Sequence, residues 1–132
     1  MAGFADLKGK RAIVTGACGV IGRWIVEALR DAGCSLCLTD ARAADLDQLA
    51  THLGLDKQSF ARAAELTSEG SIHELLEDVD RRWGAADILV NNAGVYPSGF
   101  LLDIDVGEFD RIFSINLRAP FILTRGVALQ MI

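Results

Sequence analysis

The chain has 132 residues, which is enough for one domain with a single hydrophobic core but not for two. Hydrophobic residues make up 51% of it and charged residues only 23%, a composition that excludes a disordered chain. Its formal net charge of −5 argues against nucleic acid and against an acidic membrane surface as partners.

Targeting and cysteine patterns favour a cytoplasmic protein. The first ten residues contain no apolar core, so we expect no secretory signal. No stretch of about eighteen uncharged apolar residues is present, so we expect no membrane span. Three cysteines without a disulfide pattern favour a reducing compartment. Cys34 and Cys37 match Cys-x-x-Cys, but they fall on a predicted strand and point to opposite faces, so we interpret them as buried apolar residues. His73 has no second ligand at metal-site spacing, so we predict no metal.

Strand and helix patterns alternate from the start of the chain. Residues 11–14 predict a first strand, and the helix after it has an apolar stripe at the helical period, formed by Ile21, Trp24, Ile25, Ala28 and Leu29. Gly33 is placed to end this helix in the left-handed conformation. Residues 35–39 form a nearly continuous apolar run, which predicts a second strand buried on both faces.

The alternation continues with two further helices and two further strands. A second helix carries Leu46, Leu49 and Leu53 and stops near Gly54. A weaker third strand is predicted over residues 59–63. Thr67 or Ser68 caps a third helix that ends at Gly84, with an inward face formed by Ile72, Leu75, Leu76, Val79 and Trp83. Residues 87–90 predict a fourth strand.

A long final helix begins near Val106. Its apolar side is formed by Phe109, Ile112, Phe113, Pro120, Leu123 and Val127.

The alternating pattern predicts parallel strands connected by crossover helices. Right-handed crossovers make 3-2-1-4 the natural strand order. We therefore predict an α/β protein with a Rossmann-type, doubly wound parallel sheet in a three-layer α/β/α arrangement. Residues 1–132 would form a single, incomplete dinucleotide-binding domain that ends inside a helix.

A glycine-rich turn, Thr15 to Gly22, connects the first strand to the first helix. Gly16 permits a tight turn, and Gly22 lets the helix pack closely on the sheet. Backbone amides from Cys18 to Ile21 are placed at the helix N-terminus, where free N–H groups and the helix dipole favour a pyrophosphate. The candidate phosphate-binding residues are Gly16, Cys18, Gly19, Val20, Ile21 and Gly22.

Asp40 lies at the carboxyl end of the second strand. An acidic side chain there accepts hydrogen bonds from the adenosine ribose hydroxyls and repels a 2′-phosphate, which favours NAD over NADP. Arg42 is the competing feature, because a nearby arginine can hold that phosphate.

Asn91 to Gly94, with the sequence Asn-Asn-Ala-Gly, follows the fourth strand. Two polar residues at the end of a buried strand are costly unless they are hydrogen-bonded. Together with the glycine-rich turn and Asp40, this segment resembles the short-chain dehydrogenase/reductase family, over about the first half of a typical member. The resemblance implies that the asparagines hold the strand ends together and that Asn92, Ala93 and Gly94 lie along the cofactor ribose.

The resemblance also implies that Glu65 and Leu66, after the third strand, contact the adenine. A solvated glutamate before a helix is the alternative. The glycine turn departs from the family's commonest spacing, because Val20 replaces the middle glycine and Gly19 comes one residue earlier. That spacing is similar to epimerase and dehydratase relatives, and the Val20 side chain is expected to narrow the approach to the phosphates.

Asn116 is the one candidate catalytic residue. The family carries an asparagine here as part of its Asn-Ser-Tyr-Lys set. Pro120 has no N–H, so the Asn116 carbonyl loses its helical partner and is suited to hold a water of a proton relay. An asparagine satisfied by local backbone groups is the alternative.

The family's catalytic Tyr-x-x-x-Lys is missing from these residues, because the only tyrosine, Tyr96, is followed by Phe100 at the lysine position. We therefore expect the cofactor-binding part of an NAD(P)-dependent oxidoreductase acting on an alcohol/ketone pair, inactive as the 132-residue chain. A sugar-nucleotide epimerase or dehydratase, and a non-catalytic dinucleotide-binding or interaction module, are the alternatives. An open edge on the fourth strand, and a final helix that in the family packs against its counterpart, predict a homo-oligomer or self-association.

Overall fold

A computed structural model describes residues 4–132, so Met1 to Gly3, where we predict no secretory signal, lie outside the described residues. The strands are β1 (Arg11–Thr15), β2 (Ser35–Thr39), β3 (Phe60–Ala61) and β4 (Ile88–Val90). The helices are α1 (Val20–Asp31), α2 (Ala43–Leu53), α3 (Glu69–Trp83), α4 (Val106–Phe113) and α5 (Ala119–Met131). A π-helical turn, Ser114–Arg118, joins α4 to α5, and short 3₁₀ turns cover Phe4–Leu7 and Leu101–Asp103.

The four strands form one parallel sheet in the order β3-β2-β1-β4. This order and the doubly wound architecture confirm the predicted fold class. Because the strands are parallel, the residues after β1, β2, β3 and β4 all lie at one edge of the sheet. The glycine turn, Asp40 and the Asn-Asn-Ala-Gly segment therefore come together there.

Two apolar cores cover the two faces of the sheet. On one face, α1 and α2 pack over Ala12, Val14, Leu36 and Leu38. On the other face, α3 and α5 pack over Ile13 and Cys37. Side chains alternate between the faces because a strand has a period of two. All five β2 residues are buried, as predicted.

Most predicted boundaries are confirmed. Ser68 is the cap of α3, and its hydroxyl accepts a hydrogen bond from the Ser71 amide at 3.2 Å. Gly33 and Gly54 have positive φ angles of 90° and 58° where α1 and α2 end. The third strand is shorter than predicted, with only two residues paired to β2.

Cys34 and Cys37 were predicted to be buried residues on opposite faces of a strand, and the structure agrees. These two residues are buried in different cores, on opposite faces of the sheet. Burial raises the pKa of Cys37 to about 12. All three cysteines are free thiols.

The predicted apolar stripe of α1 has the wrong phase. Ile21 and Trp24 are 60% and 65% exposed, whereas Gly22 and Val26 are the buried residues of the helix. The reason is the close approach of Gly22 to the β1 turn, which rotates the helix so that Gly22 and Val26 face the sheet. Only Ile25 and Leu29 of the predicted stripe pack partly against the core.

The final helix also differs from its prediction. The buried positions are Ile115, Ala119, Leu123 and Val127, each four residues from the next. Phe109 and Phe113 stack on each other with ring centroids 4.5 Å apart and remain about half exposed. The π-helical turn inserts an extra residue into the helical repeat, so one stripe cannot run through both halves of the helix.

The helical stretch Val106–Met131 is long and apolar enough to cross a bilayer by length and composition alone. A core helix of a soluble protein passes the same test, and this stretch packs its Ala119–Leu123–Val127 side into the core beside α3. The expectation of no membrane span therefore stays a prediction.

Within residues 4–132, β4 pairs only with β1, so its second edge is open. Ile88, Leu89 and Val90 are all half-buried. The outer side of the final helix is also apolar and exposed, at Phe113, Leu117, Phe121 and Leu129. Leu123 and Val127, which belong to the predicted apolar side of this helix, are buried.

Replacing Gly22 by alanine should destabilise the fold far more than replacing Gly19. A Cβ on Gly22 would overlap the carbonyl oxygen of Gly16, a backbone atom that cannot move away without opening the turn. We expect Gly22→Ala to lower the free energy of unfolding by about 2–3 kcal/mol. At Gly19 the nearest atom would be 3.4 Å from the new Cβ, an ordinary contact, so Gly19→Ala should cost less than about 1 kcal/mol. Urea denaturation of both variants measures this, and equal midpoints would contradict it.

Candidate functional site

A cleft of about 610 Å³ lies at the carboxyl edge of the sheet. Eleven of the twelve residues predicted to bind a cofactor line it: Gly16, Gly19, Val20, Ile21, Gly22, Asp40, Glu65, Leu66, Asn92, Ala93 and Gly94. Cys18, the twelfth, is buried and does not line the cleft. The sheet topology thus gathers segments from the ends of all four strands around one cavity.

The ends of β1 and β4 are joined by a hydrogen-bonded clamp. The Thr15 hydroxyl accepts the backbone N–H groups of Asn92 (3.1 Å) and Ala93 (2.9 Å). In return, the Asn92 side-chain amide donates to the carbonyls of Thr15 and Gly16, both at 3.1 Å. The expectation that Asn92 holds strand ends together is met by these contacts, whereas the part of Thr15 was missed. A hydroxyl residue at the end of β1 was the signal available in the sequence.

Gly16 is required by this clamp as well as by the turn. Its φ is +62°, a backbone conformation that residues with a side chain rarely adopt. A Cβ there would lie 2.9 Å from the Ala93 Cα and 3.0 Å from the Asn92 Nδ2. The turn and the β4 loop therefore touch through backbone atoms, which leaves no room for a side chain between them.

Asn91 was also expected to hold the strand ends together, but its side chain contacts a helix instead. Its side-chain amide donates to the Thr124 hydroxyl at 3.1 Å, which ties the loop to α5.

The start of α1 supplies hydrogen-bond donors to the cleft. Gly19 is the N-cap, and the amides of Val20 and Ile21 belong to the first turn, where no intrahelical acceptor exists. The Gly19 amide is used within the turn, because it donates to the Gly16 carbonyl at 3.1 Å. The amides of Val20 and Ile21 are therefore available to an anion, and the Val20 side chain beside them is 68% exposed.

Asp40 is held by three hydrogen bonds. Its Oδ2 accepts the Cys18 amide at 3.0 Å, and its Oδ1 accepts the Arg42 amide at 3.1 Å and the Arg42 Nε at 3.2 Å. Partial burial alone would raise the pKa of Asp40, but these hydrogen bonds and the Arg42 charge outweigh it, so the pKa lies below its ordinary value. The group is therefore a carboxylate, and its roughly four lone-pair directions leave capacity for one more donor.

The cleft wall contains one further acceptor that sequence analysis missed. The Thr39 hydroxyl is buried and has no hydrogen-bond partner among residues 4–132. A buried polar atom without a partner at a cavity wall is suited to a ligand or a water. Together with the carboxylate of Asp40 and the free amides of α1, it makes a donor and acceptor set that fits a dinucleotide.

Glu65 and Leu66 line the cleft next to β3, but the Glu65 carboxylate already has a local role. It accepts hydrogen bonds from the Thr67 amide (3.3 Å) and the Thr67 hydroxyl (3.0 Å). This contact stabilises the turn before α3. Leu66 is half-buried and packs against the core of that face.

Asn116 lies in the π-helical turn and outside the cleft lining. Its side chain joins the loop after β4 to the final helix: Oδ1 accepts the Val95 amide at 2.8 Å, and Nδ2 donates to the Val95 carbonyl at 2.5 Å. Both side-chain groups are thus occupied by one backbone unit. Isolated π turns are frequent at functional sites.

Several cleft residues were not predicted. Among them are Ala41, Ala64, Val95, Tyr96, Arg111 and Ile115. They lie in loops, in α4 and in the π-helical turn, and no local pattern specifies how these segments meet at the cleft. Within residues 4–132, no group of three or more His, Cys, Asp or Glu side chains is arranged to hold a metal.

Comparison with known proteins identifies relatives over most of the chain. The sequence is 35% identical to nodulation protein G of Rhizobium meliloti over 127 residues, covering 96% of this chain and 51% of that protein. It is 32% identical to a sorbitol dehydrogenase of Cereibacter sphaeroides, covering 96% of this chain and 48% of that protein. The chain thus spans about half the length of the curated relatives it matches.

Solved structures show the same fold. A glucose/ribitol-type short-chain dehydrogenase/reductase from Brucella melitensis superposes with a TM-score of 0.88 at 29% identity, covering 93% of this chain and 52% of that one. A 3-ketoacyl-(acyl-carrier-protein) reductase from the same organism, in complex with NADH, superposes with a TM-score of 0.85 at 28% identity, covering 94% and 51%. The short chain dehydrogenase family model matches residues 10–132. The chain therefore belongs to the short chain dehydrogenase family.

Proposed function

We propose that this chain is the NAD(H)-binding part of an oxidoreductase that acts on an alcohol/ketone pair. The observation that carries the proposal is the Asp40 carboxylate beside the free amides of α1, at the carboxyl edge of a doubly wound sheet. Such sheets bind dinucleotides at this edge. The NADH complex of a similar reductase supports a dinucleotide, and the choice of NAD over NADP is our own inference.

Each segment of the cleft has a distinct part in the proposal. The amides of Val20 and Ile21 would hold the pyrophosphate, and Asp40 the adenosine ribose. Glu65 and Leu66 would contact the adenine, with Leu66 as the apolar surface. Gly16, Gly22, Ala93 and Gly94 keep the approach open because they are small, and Asn92 fixes the ribose-facing backbone. The bound nicotinamide would supply hydride transfer.

Asn116 is proposed to hold the geometry of a proton relay rather than to touch the substrate. Pro120 has no N–H, so the Asn116 backbone carbonyl is without an α-helical donor. Its side chain is hydrogen-bonded to the Val95 backbone, which joins the π-helical turn to the loop after β4. The carbonyl can then accept from a water.

The NAD preference rests on the charges at the end of β2. Asp40 would repel a 2′-phosphate, and the Arg42 guanidinium is already paired with Asp40 at 3.2 Å and with Asp45 at 3.7 Å. A paired guanidinium is a weaker anion site than a free one. We further propose a cytoplasmic location and no nucleic-acid or membrane partner, in keeping with the net charge of −5.

The epimerase or dehydratase alternative is not favoured, because the matching relatives and structures are short-chain dehydrogenases and reductases. The dinucleotide-binding module without chemistry stays an alternative for the 132 residues themselves, and the following measurement addresses it.

The purified 132-residue polypeptide should bind a dinucleotide without turning it over. It contains no Tyr-x-x-x-Lys, and a positioned acid/base is typically worth ~10²–10⁴-fold in rate. NADH formation from NAD and a secondary alcohol, followed by absorbance, should equal a no-protein blank. A rate that rises in proportion to protein concentration would contradict the prediction.

Binding should be tighter for NAD(H) than for NADP(H), and Asp40→Ala should narrow the difference. The substitution removes the charge that repels the 2′-phosphate and frees Arg42 to meet it. In the double variant Asp40→Ala/Arg42→Ala, NADP(H) should lose at least part of that gain, which separates the two effects. Calorimetric titration with both cofactors gives the ratios, and tighter NADP binding to the unmodified chain would overturn the assignment.

The polypeptide should self-associate at micromolar concentration. The open edge of β4 presents unpaired backbone groups, and the outer face of the final helix exposes several large apolar side chains. Sedimentation equilibrium should show dimers or larger species, and Phe121→Lys should weaken association that uses the helix face. A single species near 14.2 kDa would contradict the predicted self-association.

A further inference from the structure

We propose that Asp40 is a positioning residue for the phosphate turn as well as a ligand of the ribose. The inference rests on the proposed function, since it concerns the same cleft. Its observation is the hydrogen bond from the Cys18 amide, inside the glycine turn, to Asp40 Oδ2 at 3.0 Å across 22 residues of sequence.

The Cys18 amide lies next to the amides proposed to bind the phosphates, so this contact affects their position. Cys18 lies directly before Gly19, the N-cap of α1, and the amides of Val20 and Ile21 follow it. Cys18 is 5% exposed, so its N–H has little access to water if Asp40 releases it. A buried donor without an acceptor is costly, and the turn would rearrange to satisfy it.

Neighbouring contacts show that the turn has few other supports on this side. The Ala17 amide donates to the Thr39 carbonyl at 3.1 Å, and the Arg23 Nε donates to the Cys18 carbonyl at 3.2 Å. The first contact joins the turn to β2 through backbone atoms alone. Asp40 therefore provides the one side-chain acceptor, among residues 4–132, that reaches from β2 to an amide of the turn.

The two carboxylate oxygens of Asp40 have different hydrogen-bond partners. Oδ2 takes the Cys18 amide, and Oδ1 takes the backbone and the guanidinium of Arg42. Removal of the carboxylate thus changes the phosphate turn even for a ligand that has no ribose hydroxyls to offer. Ribose recognition and phosphate recognition are joined through one side chain.

The test separates the hydrogen bond from the charge. Asp40→Ala and Asp40→Asn both remove the charge, but the asparagine oxygen can still accept the Cys18 amide. The probe is an NAD analogue whose adenosine ribose lacks both the 2′- and 3′-hydroxyls, titrated by calorimetry. We expect Asp40→Asn to bind this probe roughly tenfold more tightly than Asp40→Ala. Equal affinities of the two variants would overturn the inference.

A second readout does not depend on ligand. Hydrogen exchange of the Cys18 amide should be slow in the unmodified chain and in Asp40→Asn, and faster in Asp40→Ala. Unchanged exchange in Asp40→Ala would also overturn the inference. If the unmodified chain binds neither NAD nor the probe, the proposed function fails, and the amide exchange alone decides whether Asp40 positions the turn.

Asp56→Ala is the matched control for a general loss of stability. Asp56 is likewise a carboxylate that stabilises a turn, accepting the Ser59 amide at 2.9 Å and the Ser35 hydroxyl at 2.8 Å, but it lies outside the cleft lining. This variant should lose stability while it keeps the probe affinity and the Cys18 amide exchange of the unmodified chain. A change in Cys18 exchange as large as that of Asp40→Ala would contradict a specific role for Asp40.

Discussion

The carboxyl ends of β1 and β4 are joined by the Thr15–Asn92 clamp, and the geometry of the cleft depends on it. β4 has only three residues, so its backbone ladder with β1 is short. The clamp adds four hydrogen bonds at the point where both strands end. It also brings the glycine turn into backbone contact with Ala93, which requires Gly16. A part-buried polar network of this kind favours one geometry, since its donors would be costly to leave unpaired.

Asp40 is the second centre of organisation, and it acts through charge as well as through hydrogen bonds. It connects the end of β2 to the glycine turn and to Arg42. Pairing with Arg42 lowers the negative potential of the carboxylate, and it equally leaves the guanidinium, which lines the cleft, less free to bind another anion. In the proposed function, the balance between the two charges, rather than the acid alone, would set how the site treats a 2′-phosphate. Because Arg42 is more than half exposed, solvent screens the pair, and its energetic weight is modest.

The two helix-phase errors have a common origin. Apolar periodicity shows that a helix has an apolar side, but close contacts decide which residues turn inward. In α1 the contact is Gly22 on the Gly16 carbonyl, and it directs Trp24 outward. In the final helix the π turn shifts the repeat, so that Ile115, Ala119 and Leu123 line up whereas Phe109 and Phe113 do not. Neither contact can be recognised from the pattern of apolar residues alone.

The amino-acid sequence by itself determined the element order, the parallel sheet and the place of the cleft. Strand and helix periods, glycines at helix ends and right-handed crossovers are local or topological properties, so they can be derived residue by residue. Only the tertiary structure decided which groups are free to act. It showed that Asp40 accepts a hydrogen bond from the Cys18 amide and that the Asn116 side chain is hydrogen-bonded to Val95. It also showed that the Thr39 hydroxyl at the cleft has no hydrogen-bond partner among residues 4–132. These pairings join residues far apart in sequence, and which donor meets which acceptor is settled when the chain packs.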